Sequence, residues 1–183
     1  MSNSEYEKKQ DGSVTTFNVM PASCPANKGA LIYVIPFLFI GLVLLAMGTF
    51  GLILYILFVA AAWYLGFHKD WRPAEHRRPS TFSVSTSEIT SNGRTFRKED
   101  IHRLLIRNGM KKNELTSAFI AKGGPATTAI AVSHIYRQKI SAVTNSLDLE
   151  SGGNAYTLAG GMSETTAFGL MTDVSRALGF HDS

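Results

Sequence analysis

From Ala30 to Phe67 the chain runs 38 residues without one Asp, Glu, Lys, Arg or His. That gap excludes an ordinary surface element, and 183 residues supply too little chain to wrap so long an apolar stretch inside a soluble core. It also excludes the ionisable group that transporters and intramembrane enzymes keep at depth. A single cysteine, Cys24, excludes an intrachain disulfide and fits a reducing compartment. The five histidines, His68, His76, His102, His134 and His181, lack the H-E-x-x-H spacing, so no metal site is expected. The glycine pairs at 123, 152 and 160 form neither G-x-G-x-x-G nor a P-loop and read as turns. Ser163, in Gly-Gly-Met-Ser-Glu, lacks the nucleophile elbow of a serine hydrolase. Asp100 and His102, two apart, make the best acid/base pair available, with Glu114 or Asp148 as third member, but exposed surface residues are the commoner meaning of such a pair. No catalytic residue, cofactor or metal is therefore expected.

One helix crosses a hydrocarbon core of about 30 Å in roughly 20 residues, so 38 residues fit two crossings better than one. The run is broken by Met47-Gly48-Thr49-Phe50-Gly51, which predicts a turn between a helix over 30–47 and another over 52–67. Gly41 and Gly48, seven apart, lie near one face where close helix packing or association of copies would use them. The second helix ends in Trp63, Tyr64 and Phe67, followed by Lys69, Arg72, Arg77 and Arg78. Interfacial aromatics followed by cations mark a cytoplasmic exit, and a hairpin returns to the side it entered, so both termini are expected in the cytoplasm. The apolar run is too long for the core of a cleavable signal peptide. The net charge of +4 is concentrated beside this run, which argues for membrane topology, or attraction of anionic lipid head groups, and against nucleic acid.

Outside the run the chain is polar. Residues 1–29 form a polar segment in which Thr15 to Val19 could add one strand, and 68–80 reads as a basic linker. Phe82 and Val84 alternate with polar neighbours, predicting a strand from Thr81. Asn92-Gly93 predicts a type I′ hairpin turn. Ile101 to Arg107 predicts a third strand, with His102, Leu104 and Ile106 on one face and Arg103 and Arg107 on the other. An insertion over 109–140 follows, Ala-rich and helical or strand-like over 126–140. Val143, Leu147 and Leu149 then alternate with polar residues up to Gly152-Gly153-Asn154, which turns the chain into Ala155 to Ala159. Ser163 is a good N-cap, Glu164 suits the first turn, Phe168, Met171, Val174 or Ser175, and Leu178 recur at helical spacing, and Gly179 is a natural C′ residue. Gly169, inside this helix, costs it about 1 kcal/mol against Ala and marks a close approach to the sheet or simple tolerance.

The stretch Thr81 to Asn108, especially Glu88-Ile89, Asn92-Gly93-Arg94 and Glu99-Asp100-Ile101, together with Gly152 to Gly179, resembles bacterial two-helix membrane proteins that carry a PH-like domain. The resemblance is one of pattern over the last hundred residues or so, with five strands legible where seven are expected. It implies a membrane α-helical hairpin plus a small α+β domain over 81–179, an antiparallel sheet with one C-terminal amphipathic helix, and a short tail at 180–183. It also implies a docking module rather than an enzyme. The leading expectation is thus an inner-membrane anchor whose cytoplasmic domain docks protein partners of a membrane assembly, through a sheet edge or through Arg94, Arg97, Arg103 and Arg107. A homo-oligomeric pore or transport subunit is the second expectation. A sensor of anionic lipid, using Lys69, Arg72, Arg77, Arg78, Arg94 and Arg97, is the third.

Overall fold

The computed structural model describes residues 5–26, 34–110 and 135–180. They divide into a β-rich unit drawn from 5–24, 72–110 and 139–180, and an apolar unit drawn from 25–26, 34–71 and 135–138. The molecule is α+β, with eight antiparallel strands in two sheets and four α-helices among the described residues.

The first sheet has the order β1-β2-β3-β4-β5, with β1 Glu5–Asp11, β2 Val14–Met20, β3 Ser80–Val84, β4 Glu88–Ser91 and β5 Arg94–Arg97. Its middle register is Thr15↔Val84, Phe17↔Phe82 and Val19↔Ser80, so β2 and β3 are direct neighbours although about sixty residues separate them in the chain. The polar N-terminal segment, expected to contribute at most one strand, contributes two, and it belongs to the β-rich unit instead of standing apart from it. The second sheet has the order β6-β7-β8, with β6 Ile101–Asn108, β7 Asn145–Ser151 and β8 Asn154–Met162. The expected hairpin turns are present. Asn92 (φ 50°) and Gly93 (φ 75°) join β4 to β5, and Gly152 (φ 57°) and Gly153 (φ 77°) join β7 to β8, both with the paired positive φ of type I′ geometry.

Period-two patterning gives the core. Phe17, Val19, Phe82, Val84 and Ile89 from the first sheet meet Leu147, Leu149, Leu158 and Met162 from the second. Phe17 and Phe82 stack at 5.3 Å. Helix α4, Glu164–Ala177, buries Ala167, Leu170 and Val174 against this core. The Ser163 hydroxyl accepts from the Thr166 amide at 3.2 Å, closing its N-terminus. At the other end Gly179 (φ 68°) lets Phe180 N–H reach Ser175 O at 2.9 Å and its own N–H reach Arg176 O at 3.0 Å, a Schellman closure. Lys98 Nζ adds a 2.5 Å bond to Leu178 O. The Tyr6 hydroxyl of β1 donates to Asp173 of α4 at 2.9 Å. Beneath it, a Cβ on Gly169 would meet the Tyr6 hydroxyl at an ordinary 3.5 Å, so the glycine is tolerated rather than required.

The apolar unit contains α1, Val34–Leu45, and α2, Thr49–Trp63. The turn is tighter and earlier than expected: Gly48 adopts φ 73°, and α2 starts at Thr49 rather than at 52. The helices pack antiparallel, with the Tyr55 ring against Gly41 and the Leu44 carbonyl against Gly51. Gly41 thus sits at a close helix contact. Gly48 meets nothing within 4 Å and serves the turn, while Gly51 holds the packing position. One helix, Thr49–His68 including a π turn over Tyr64–His68, is long and apolar enough to cross a membrane by length and composition. A short helix, α3, occupies 135–141, and the rest of the expected 109–140 insertion from residue 111 to 134 lies outside the described residues.

Candidate functional site

The residues just after the apolar helices do not form a free linker. Pro73 starts a 3-10 turn over Ala74–His76, and the segment 72–77 lies on the β-rich unit against β8. Arg72 is 6 % exposed, and its guanidinium donates to the Ala22 carbonyl. Ala22 N–H in turn donates to Gly161 O at 2.8 Å. Arg77 Nε donates to Arg72 O at 2.7 Å. The chain that leaves β2 and the chain that returns before β3 are therefore fastened together on one point of β8.

That point is the Gly160-Gly161 pair, expected as a turn and found inside a strand. The β7–β8 register pairs Ser146 with Gly160 and Asn145 with Met162, so Gly161 is the extra residue of a bulge and takes φ 79°. A Cβ on Gly160 would drive into the His76 ring, and one on Gly161 into the His76 carbonyl and Pro21. The bare backbone at Gly160 lets the His76 ring lie this close to the sheet, and that at Gly161 admits the His76 carbonyl and Pro21. Gly109, at the end of β6, borders the same ring, where a Cβ would stand 3.5 Å from Cε1.

Beside the seat, the outer face of β7 is polar and buried. Asp148 is 2 % exposed; its Oδ2 pairs with Arg107 Nε at 3.2 Å, and its Oδ1 is buried without a hydrogen-bond partner. His76 is 4 % exposed, and its Nδ1 is likewise unpartnered. Burial pulls the His76 imidazole below its usual range, with Arg72 acting in the same direction and Glu75 and Asp148 opposing. An amide network closes the end of the sheet. Asn108 Nδ2 donates to Ser141 O at 2.7 Å and to Asn145 Oδ1 at 2.8 Å, and Asn145 Nδ2 donates to Met162 O at 3.0 Å. These bonds fix the bulge from the β6 side.

The expected site residues fall in several places. Arg72 is buried and engaged, so it is not available to a lipid head group, whereas Lys69, Arg77 and Arg78 are exposed. Lys69 lies over the Trp71 ring at 4.2 Å. Trp71 Nε1 donates to Leu65 O at 3.3 Å, a carbonyl within the π turn. The expected basic face of β6 is charge-balanced: Arg103 Nε meets Glu150 at 2.6 Å and Arg107 meets Asp148. Arg97 pairs with Glu99 at 3.7 Å, and Arg94 lies over the Tyr156 ring. His102 does not share the core face with Leu104 and Ile106. A register irregularity between Ile101 and Arg103 brings Ile101 into the core and leaves His102 exposed. Asp100 sits in the 3-10 turn Lys98–Asp100, exposed, and Asp148 is committed to Arg107, so the acid/base grouping is not assembled; Glu114 lies outside the described residues. Among the described residues no group of three or more His, Cys, Asp and Glu side chains gathers to hold a metal ion.

What the site can do is grip. It presents a ring, a guanidinium and two glycines that fasten the chain on both sides of the apolar unit to one strand. The sequence carried a trace of it, since a Gly pair within the alternating stretch Ala155 to Met162 signals a bulge or a close backbone approach. Nothing in the sequence couples residue 160 to residue 76. No protein-family model matches the chain, and neither a curated protein nor a solved structure matches it.

Proposed function

We propose that the chain is a non-enzymatic anchor of the bacterial inner membrane. Its helices α1 and α2 enter the bilayer as a hairpin, and its β-rich unit, PH-like in plan, docks partner proteins of a membrane assembly on the cytoplasmic side. The observation that carries this reading is the pairing of β2 with β3. The two strands flank the apolar helices in the chain and are neighbours in one sheet, so whatever the helices enter must be left on the side of entry. Away from their mutual contact, the described residues of the helices expose apolar side chains: Phe39 is 71 % exposed, Leu42 71 %, Ile53 57 % and Ile56 58 %. A surface of that kind belongs in hydrocarbon. Exposed Lys69, Arg77 and Arg78 follow the second helix, as the positive-inside rule asks of a cytoplasmic end.

The test is alkaline extraction of bacterial membranes combined with protease digestion of terminal tags in spheroplasts and in inverted vesicles. The expected result is a chain retained in the pellet, with both tags cut only in inverted vesicles. Release into the supernatant, or tags cut on opposite sides, overturns the reading. A mild-detergent pull-down then tests the docking role. Defined partners in fixed ratio support it, and a pure homo-oligomer replaces it with the pore.

A further inference from the structure

The segment 72–77 takes no part in the hydrophobic core, which Phe17, Phe82, Leu147 and Leu170 build without it. It is held by the Arg72 bond to Ala22 and by the seating of His76 on Gly160. The charged groups about that ring are Arg72 and Glu75 on its own segment, and Asp148 of β7 with its partner Arg107 of β6. From β8 and the end of β6 the ring meets Gly160 and Gly109, which bring no side chain, while Gly161 lies against the His76 carbonyl. A neutral imidazole can sit here with one ring nitrogen unpaired. An imidazolium would need acceptors for two N–H donors and would carry its charge into a closed place where Nδ1 has none.

We infer that His76 is a proton-operated latch: neutral, it seats on Gly160 and holds 72–77 against β8, and protonated, it leaves the seat and frees the segment. The inference goes beyond the anchor reading and does not depend on it. If the anchor reading also holds, release of 72–79 adds eight residues to the tether between bilayer and β-rich unit, a segment at most about 26 Å long when fully extended at roughly 3.3 Å per residue. The sign follows from linkage. The seated form holds its proton less tightly than the free form, so the free form gains protons first as pH falls. The latch is closed above the ordinary imidazole value of about 6.5 and opens below it. If the seated ring stays neutral, the closing constant falls about tenfold at pH 5.5.

The experiment is hydrogen exchange on the full chain in lipid nanodiscs at pH 7.5, 6.5 and 5.5, corrected for the intrinsic pH dependence of exchange, with β7 and α4 amides as internal reference. Protection at the Ala22, His76 and Arg77 amides should drop up to about tenfold at pH 5.5 while the reference holds, and His76→Gln, uncharged at every pH, should show no such drop. Flat wild-type protection, or an equal drop in His76→Gln, overturns the latch. Should His76→Gln fail to fold, the imidazole resonances of a chain keeping His76 as its one histidine decide. Titration below about 6.5 supports the latch, and titration at or above it overturns the latch.

Discussion

The two units put the same residue types to opposite use. In the β-rich unit Phe17 is 0 % exposed, stacked on Phe82 within a core closed by α4; in the apolar unit Phe39 and Ile56 stand outward, more than half exposed. One unit alternates, so each strand has an inside and an outside. The other is apolar all round and so has no side meant for water. The polar residues differ as well: the β-rich unit buries Arg72, His76, Thr144, Asn145 and Asp148, whereas the apolar run has no charge to bury. The lesson is that hydrophobicity alone does not define an interior. What defines it is whether the rest of the chain supplies the cover.

Paired truncations give the largest expected contrast. Phe17→Ala should cost the β-rich unit about 3 to 5 kcal/mol in denaturant unfolding, while Ile56→Ala, removing an outward side chain, should shift that transition by less than about 0.5 kcal/mol. Equal costs would break the comparison. Gly160→Ala comes next, because the added methyl collides with the His76 ring; a loss of about 1 to 3 kcal/mol is expected, together with lost exchange protection at the His76 and Arg77 amides. Tyr6→Phe removes the bond to Asp173 and should cost about 1 kcal/mol. In the intact chain, burial and the Asp173 bond push the Tyr6 phenol up to about 12, against 10 when unfolded. The raised value means that its contribution is complete below pH 10 and is lost as pH rises from 10 to about 12. The difference in phenolate absorbance between the wild type and Tyr6→Phe should therefore show a phenol titrating near 12; a difference titrating near 10 would remove the Tyr6 bond from the account. The smallest effect has the opposite sign: Gly169→Ala has room beside Tyr6 and should stabilise by about 0.5 to 1 kcal/mol.

What was legible in the sequence is what local chemistry determines. Asn92-Gly93, Gly152-Gly153, Ser163 and Gly179 each act within a few residues, and each was readable because a turn or a cap needs no distant partner. The alternation of Phe82 and Val84, or of Leu147 and Leu149, was equally plain because polar residues stand between them, although on β7 those polar residues, Ser146 and Asp148, are themselves buried. Strand β1 was not readable. As an edge strand with the sequence EYEKKQD it turns Tyr6 and Lys8 toward Asp173 of α4, so it has no apolar period to detect. Asp11-Gly12 at its end was the available turn signal. The grip on β8 was hidden for a different reason. Arg72 and His76 carry the composition of a membrane-flanking linker, and their burial depends on a bulge about 85 residues further on that no local pattern connects to them.

The pairing of β2 with β3 also dictates an order of events during synthesis. Strand β2 leaves the ribosome with Phe17 and Val19 on one face and then waits while residues 21–79 are made, roughly 3 to 12 s at about 5 to 20 residues per second. The apolar helices emerge inside that interval, so they must find their own surroundings before the sheet that brackets them can close. A chain cut anywhere between 25 and 71 leaves two pieces, neither of which contains both halves of the five-stranded sheet. The β-rich unit can therefore be completed only after the helices between its parts have been made.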